Sequence, residues 1–186
     1  MKIKNLIPTL TFALVVLFNT NAFAQDTKMV GGAEMYPTKD IVSNAVNSKD
    51  HTTLVAAVKA ADLVETLQGD GPFTVFAPTN SAFDKLPKGT VSTLLKKENK
   101  EKLQAVLTYH VLAGKHNAKT IAKAIKKGDG KAVFTTVNGA ELTAMMDGDT
   151  IVLKDTAGNT STVTIADVNQ SNGVIHVVDT VVLPKM

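Results

Sequence analysis

The chain of 186 residues contains no cysteine and no tryptophan, and its 20 basic residues are all lysine. Without Cys there is no disulfide framework, no thiolate nucleophile and no sulfur-ligated zinc site. Without Arg the side chain that reads bases and phosphates bidentately is missing, so nucleic acid is not an expected partner. Aromatic residues make up only 5% of the chain, which leaves its core to Val, Leu, Ile and Ala. Beyond the N-terminus no apolar run nears the roughly 20 residues of a membrane helix, so no span is expected in the remainder.

What is present begins with Lys2 and Lys4, an apolar run from Leu6 to Phe18 and a small-residue end at Ala22-Phe23-Ala24. Those three regions in that order describe a secretory signal peptide over residues 1–24, cut before Gln25. The mature chain is therefore expected outside the cytoplasm, in the periplasm or beyond the cell. It keeps 18 Lys against 17 acids, a net charge of +1 with neutral His. Residues 25–37, with Gly31-Gly32 and Pro37 and no periodicity, read as a flexible lead-in to a single domain over residues 38–184.

The domain's first half has helical spacing. A short segment carries Ile41, Val42, Ala45 and Val46. A helix over Thr53 to Gln68 stacks Leu54, Ala57, Val58 and Ala61, and Gly69-Asp70-Gly71-Pro72 ends it. The sets Val91, Leu94, Leu95 and Leu103, Val106, Leu107 predict two more amphipathic helices. The last helix has Ala118, Ile121, Ala122 and Ile125 inside, lysines outside, Asn117 as its cap and Gly128 as its stop.

After Gly130 the pattern changes to strands. Turn signals at Asn138-Gly139, Asp147-Gly148, Ala157-Gly158-Asn159 and Asn172-Gly173 predict antiparallel hairpins. Residues 173–184, GVIHVVDTVVLP, are apolar on both faces, with Ile175, Val177, Val181 and Leu183 on one and Val174, Val178 and Val182 on the other. Such a strand belongs inside the fold.

The stretch GPFTVFAPTNSAFDKLP, residues 71–87, switches at Pro78 from strand to helix, and Thr79 or Asn80 is placed to cap the helix. With Thr79 as cap, Pro78 and Phe83 take the positions of a hydrophobic staple. His176 and Asp179 interrupt the doubly apolar strand and need partners, which we expect in the Thr74 to Asn80 segment. No Ser lies in a nucleophile-elbow sequence and no HExxH occurs, so neither catalysis nor metal binding is expected. Asp147, Asp149 and Asp155 do not follow the order of an EF-hand loop.

Three segments, TVFAPTNSAF at 74–83, YHVL at 109–112 and NGVIHVVD at 172–179, together resemble the fasciclin domain family in order and spacing. The resemblance covers roughly residues 36–184. It implies an α+β fold, a sandwich-like or wedge-shaped core of mainly antiparallel strands flanked by helices mostly from the N-terminal half. It also implies a secreted or surface-held bacterial protein acting by adhesion to a cell surface, matrix or host, with a protein or surface glycoconjugate as partner. In animal members the segments matching Tyr109-His110 and Asp167-Val168 take part in adhesion, which makes these four the candidate partner-binding residues. For His110 the preferred reading is a satisfied core histidine. Thr74, Pro78, Thr79, Asn80, Phe83, His176 and Asp179 are expected to be structural. The second reading is a carrier for a carotenoid or other lipid, held in a groove between helices and sheet. No cofactor is expected.

Overall fold

The computed structural model describes residues 26–185, so the leader expected over residues 1–24 lies outside the described residues. The chain starts with a hairpin, β1 (Lys28–Val30) and β2 (Ala33–Met35). A helical run follows, α1 (Ile41–Ala45), α2 (Thr52–Ala60) and α3 (Val64–Gln68), then strand β3 (Phe73–Pro78). Next come α4 (Asn80–Asp84), α5 (Thr90–Leu94), α6 (Lys100–Tyr109), strand β4 (Val111–Ala113) and α7 (Ala118–Lys127). The rest is β5 (Lys131–Thr135), β6 (Glu141–Asp147), β7 (Thr150–Lys154), β8 (Thr160–Gln170) and β9 (Gly173–Val178).

Strands β3 to β9 form one seven-stranded sheet in the order β4-β3-β9-β8-β7-β6-β5. Every pair is antiparallel except β3 with β9, which run parallel with Phe73 opposite Gly173 and Phe76 opposite His176. The first and last motifs of the sequence therefore lie side by side in the interior of the sheet, between β4 and β8. Register shifts in β8 between Val163 and Val168 bend that strand, so that it serves both β7 and β9. The curl brings the two ends of the sheet together, and the N–H of Val137, just after β5, donates to the Val111 carbonyl of β4 at 2.8 Å. The expected α+β wedge is thus a sheet curled almost into a barrel.

Alternation along the central strands supplies two cores. Val75 and Ala77 of β3 and Ile175 and Val177 of β9 join Leu54, Ala57, Val58, Leu103, Val106 and Leu107 under the helices. Phe76 and Val178 face the other way, into the curl, with Leu142, Leu153, Ile121 and Ile125. This is why residues 173–183 are apolar on both sides, and Val181 and Val182 extend the same division past the end of β9.

Two expectations about the N-terminal half require correction. Within the lead-in expected to be flexible over residues 25–37, the β1–β2 hairpin tucks Val30 and Met35 into the helical core. The single helix expected over Thr53 to Gln68 is two, broken where Asp62 takes a left-handed φ of 54°. One straight helix would leave Leu63 and Leu67 off the face set by Leu54, Ala57, Val58 and Ala61; the break turns Leu67 into the same core. An Asp tolerates that φ better than a branched residue, and the exposed Asp62 carboxylate also pairs with Lys100.

Candidate functional site

The joint after β3 is built as its sequence suggests. Thr79 is the cap of α4, its Oγ1 accepting from the Ala82 N–H at 3.3 Å, while its own N–H donates to the Val178 carbonyl at 3.2 Å. Asn80 reaches across to the start of α2, where its Oδ1 accepts from the Thr53 N–H at 3.0 Å and its Nδ2 donates to the Lys49 carbonyl at 2.9 Å. Thr74 donates its hydroxyl to the Gly114 carbonyl at 2.6 Å and accepts from the His116 N–H at 2.8 Å. Phe83 is buried in the helical core. The Thr74 and Asn80 side chains each join two elements, while that of Thr79 caps its own helix.

His176 is fully buried, stacked on Phe76 with ring centroids 5.7 Å apart. Its Nε2–H donates to the His116 carbonyl at 2.8 Å, and its Nδ1 accepts from the Asp167 N–H at 3.3 Å. The expected side-chain bond to the Thr74–Asn80 segment is not made. Backbone pairing already joins β3 to β9, and the imidazole points into the curl, toward the loop before α7. Asp179 is half-exposed rather than buried; it accepts from the Thr162 N–H at 2.8 Å and pairs with Lys85 at 3.3 Å.

Of the four candidate partner-binding residues, Tyr109, His110 and Val168 are buried and Asp167 is half-buried. Tyr109 is fully buried, its hydroxyl donating to the Glu141 carbonyl at 2.7 Å and accepting from the Thr156 N–H at 3.3 Å. His110 donates from Nδ1 to the Val106 carbonyl at 2.8 Å and accepts at Nε2 from the Val182 N–H at 3.2 Å, tying α6 to the C-terminal segment. Val168 is buried in the helical core. Asp167, at a left-handed φ of 55° beside the irregular stretch of β8, accepts from the Ala118 N–H at 2.6 Å and holds the start of α7. A carboxylate there also favours the positive end of the helix dipole.

Sequence reasoning overlooked Asn172. It is buried in the turn between β8 and β9. Its Nδ2 donates to the Leu67 and Gly69 carbonyls at 2.8 and 2.9 Å, and its Oδ1 accepts from the Ile41 N–H at 3.1 Å. One amide thereby holds the end of α3 and the start of α1 against the sheet. The Asn-Gly pair was legible as a turn; its three distant partners had no local signal.

The buried histidines make the fold acid-sensitive. Burial lowers His110 from 6.5 to about 4, and lowers His176 and His51 as well. Between those values the unfolded chain binds protons that the folded chain refuses. Stability is therefore whole above pH 6.5, falls as pH drops through the window, and levels below about 4 for the His110 part. At about 1.4 kcal/mol per pH unit His110 alone accounts for a loss of about 3 kcal/mol. Urea melts at pH 7.0, 5.5 and 4.5 test this, and His110→Asn, which can still donate to Val106, should flatten the slope. A wild-type protein equally stable at all three pH values would contradict it.

A cavity of about 70 Å³ lies between α1, α2, α3, the end of α6 and the β3–β4 edge. Ile41, Val42, Leu54, Val58, Leu67 and Phe73 line it, with Lys59, Thr66 and Thr108 also contributing. His110 borders it too, with both nitrogens already bonded, so it offers only ring surface. Among the described residues no cluster of three or more His, Asp or Glu could hold a metal ion, and no helix is long and apolar enough to cross a membrane. Asp155, from the acid-rich run before β8, spends both carboxylate oxygens on Ala157, Asn159 and Leu183.

Comparison with known proteins agrees with this architecture. Residues 49–184 match the sequence profile of the Fasciclin domain. A protein of Synechocystis sp. is 50% identical over 147 residues, spanning 78% of this chain and 74% of that protein. The cell surface glycolipoprotein MPB83 of Mycobacterium bovis is 34% identical over 149 residues, 77% of this chain and 60% of its own length. Among solved structures, a domain pair from the insect cell adhesion molecule Fasciclin I matches with a TM-score of 0.69 at 16% identity, covering 80% of this chain and 52% of that one. Such low identity speaks for the fold alone. With the profile spanning most of the chain and its two end motifs paired side by side inside the sheet, this chain belongs to the fasciclin domain family.

Proposed function

We propose that the chain is an exported, non-enzymatic interaction module that attaches to a cell surface, matrix or host partner. The observation that carries this reading is the fate of the motif side chains. Thr74, Thr79, Asn80, Tyr109, His110 and His176 all spend their polar atoms on internal bonds. His110 and His176 are neutral with both ring nitrogens engaged, so neither is poised as a general base. What remains for function is the outer surface of a rigid frame. Similarity to a cell surface glycolipoprotein supports the same reading. Cells lacking the protein should attach less to surfaces, and added purified protein should restore attachment. Unchanged attachment together with no partner in a pull-down would overturn the proposal.

The cavity under the helices favours a second reading, a carrier of an apolar molecule. Its volume of about 70 Å³ falls well short of the roughly 300 Å³ at the low end for drug-sized ligands, so as it stands it accepts a hydrocarbon end group and not a whole carotenoid. Its lining is mostly aliphatic, and His110 on its wall has no unused nitrogen to offer an occupant. Native mass spectrometry of host-purified protein should then show a bound mass that is lost in Val55→Phe at the cavity wall. A bare wild-type protein would sink this reading.

A further inference from the structure

We infer that the outer face of α7 is the contact surface of the module and that it fits a linear acidic polysaccharide. The inference rests on the interaction-module reading and names its partner class. On a helical wheel Lys119, Lys123, Lys126 and Lys127 fall within about 100° of arc, opposite Ile121 and Ile125. Those two isoleucines are buried in the curl of the sheet, and all four lysines are exposed. Over residues 115–131 there are six Lys and one acid, Asp129, a net charge of +5. The remainder of residues 26–185 holds 12 Lys and 16 acids, a net charge of −4. The body is acidic and one end is strongly basic, which orients the molecule toward a polyanion.

Among the described residues no carboxylate forms an ion pair with that face. Among the described residues the Lys ion pairs are Lys85 with Asp179, Lys96 with Glu98 and Lys100 with Asp62, all outside residues 115–131. Asp167, the acid at the start of α7, is engaged by the Ala118 N–H, and Asp129 sits in the turn beyond its end.

The shape selects the polyanion. Ammonium groups spread over about 12 Å of a convex helix do not converge on one small anion. A bilayer would ask for an apolar or lipid anchor beside the basic patch. The apolar face of α7 is spent in the core, and the exposed large apolar residues Met29, Val46, Val133, Val137 and Met146 all lie outside it. A narrow stripe matches a single chain laid along the helix. Lysine, a rotatable point charge, pairs with successive carboxylates without fixing their angle, which suits a polymer that can slide in register.

The test is retention on immobilised sodium alginate, with neutral dextran as blank and phosphatidylglycerol vesicles in parallel. Wild-type protein should bind alginate at low salt and elute as added salt shortens the Debye length to about 3 Å near 1 M. The triple change Lys119→Glu, Lys123→Glu, Lys127→Glu should weaken retention about tenfold or more. The charge-matched triple Lys88→Glu, Lys97→Glu, Lys102→Glu should keep most of it; thermal melts confirm that both variants are folded. Equal losses in the two triples, or none in the first, would overturn the assignment to α7. Binding to vesicles but not to alginate would overturn it in favour of a membrane. Wild-type protein that ignores alginate yet adheres to protein-coated surfaces overturns this inference alone, and protein that adheres to nothing overturns the module reading with it.

Discussion

Gly173→Ala is expected to cost more than about 3 kcal/mol, well above the roughly 1 kcal/mol of an average substitution. A Cβ at this position would lie 2.1 Å from the Phe73 carbonyl oxygen and 2.9 Å from both the carbonyl carbon and the nitrogen of Phe73. All three atoms are backbone, so no side chain can rotate aside. The strands that would have to part are β3 and β9, the parallel pair held between β4 and β8. With total stabilities of about 5–15 kcal/mol, such a loss removes much of what holds a domain folded. Urea melts measure it, and Gly158→Ala is the comparison. Gly158 has a left-handed φ of 94° but open space around it, so it carries only the backbone strain of about 1–2 kcal/mol. A Gly173→Ala protein as stable as Gly158→Ala would show that the close approach of β3 to β9 is wrong.

Asn172→Ala is expected to be about as damaging, through polar groups rather than packing. It strands the Ile41 N–H and the Leu67 and Gly69 carbonyls, which the Asn172 amide satisfies. Each buried group left without a partner costs about 1–3 kcal/mol, so a total of about 3 kcal/mol or more follows where water cannot reach all three. Asn172→Asp separates this account from simple loss of volume. The carboxylate can still accept from Ile41, but it loses both donors and sets negative charge against two carbonyl oxygens. It should therefore destabilise at least as much as alanine despite its matching shape. Amide hydrogen exchange at Ile41 gives a local readout, protected in wild type and in Asp and faster in Ala. An Asp variant with wild-type stability would refute the bonding pattern.

Much of the fold was legible because its signals are local. The Asn117 cap, the lysine and isoleucine faces of α7 and the Thr79 joint depend on side chains bonding or packing within a few residues of themselves. The double apolar pattern of residues 173–183 was legible too, since alternate residues of a strand must face opposite ways and both ways were apolar. The turns at Asn138-Gly139 and around Gly158 fall where their glycines take a left-handed φ, whereas the turn between β6 and β7 lies one residue later than expected, at Gly148-Asp149 between paired Asp147 and Thr150, and that between β8 and β9 one residue earlier, at Ser171-Asn172 between paired Gln170 and Gly173.

Long-range partners were not legible. His110 falls on the face of Leu103, Val106 and Leu107, but only the curl of the sheet put Glu141 and Thr156 around Tyr109 and Val182 beside His110. His176 was known to need partners, but the bend in β8 decided that they would be Asp167 and His116. Asp167 and Val168, candidates for contact with a partner, became a helix clamp and a core residue for the same reason.

The sequence by itself determined the order of helices and strands, the faces they bury and the family to which they belong, because apolar spacing, caps and turns act over a few residues. Only the tertiary structure decided which polar side chains are spent inside and which charges remain outside. A hydrogen bond needs two groups within about 3 Å, and which distant groups meet at that range is set by how the sheet curls.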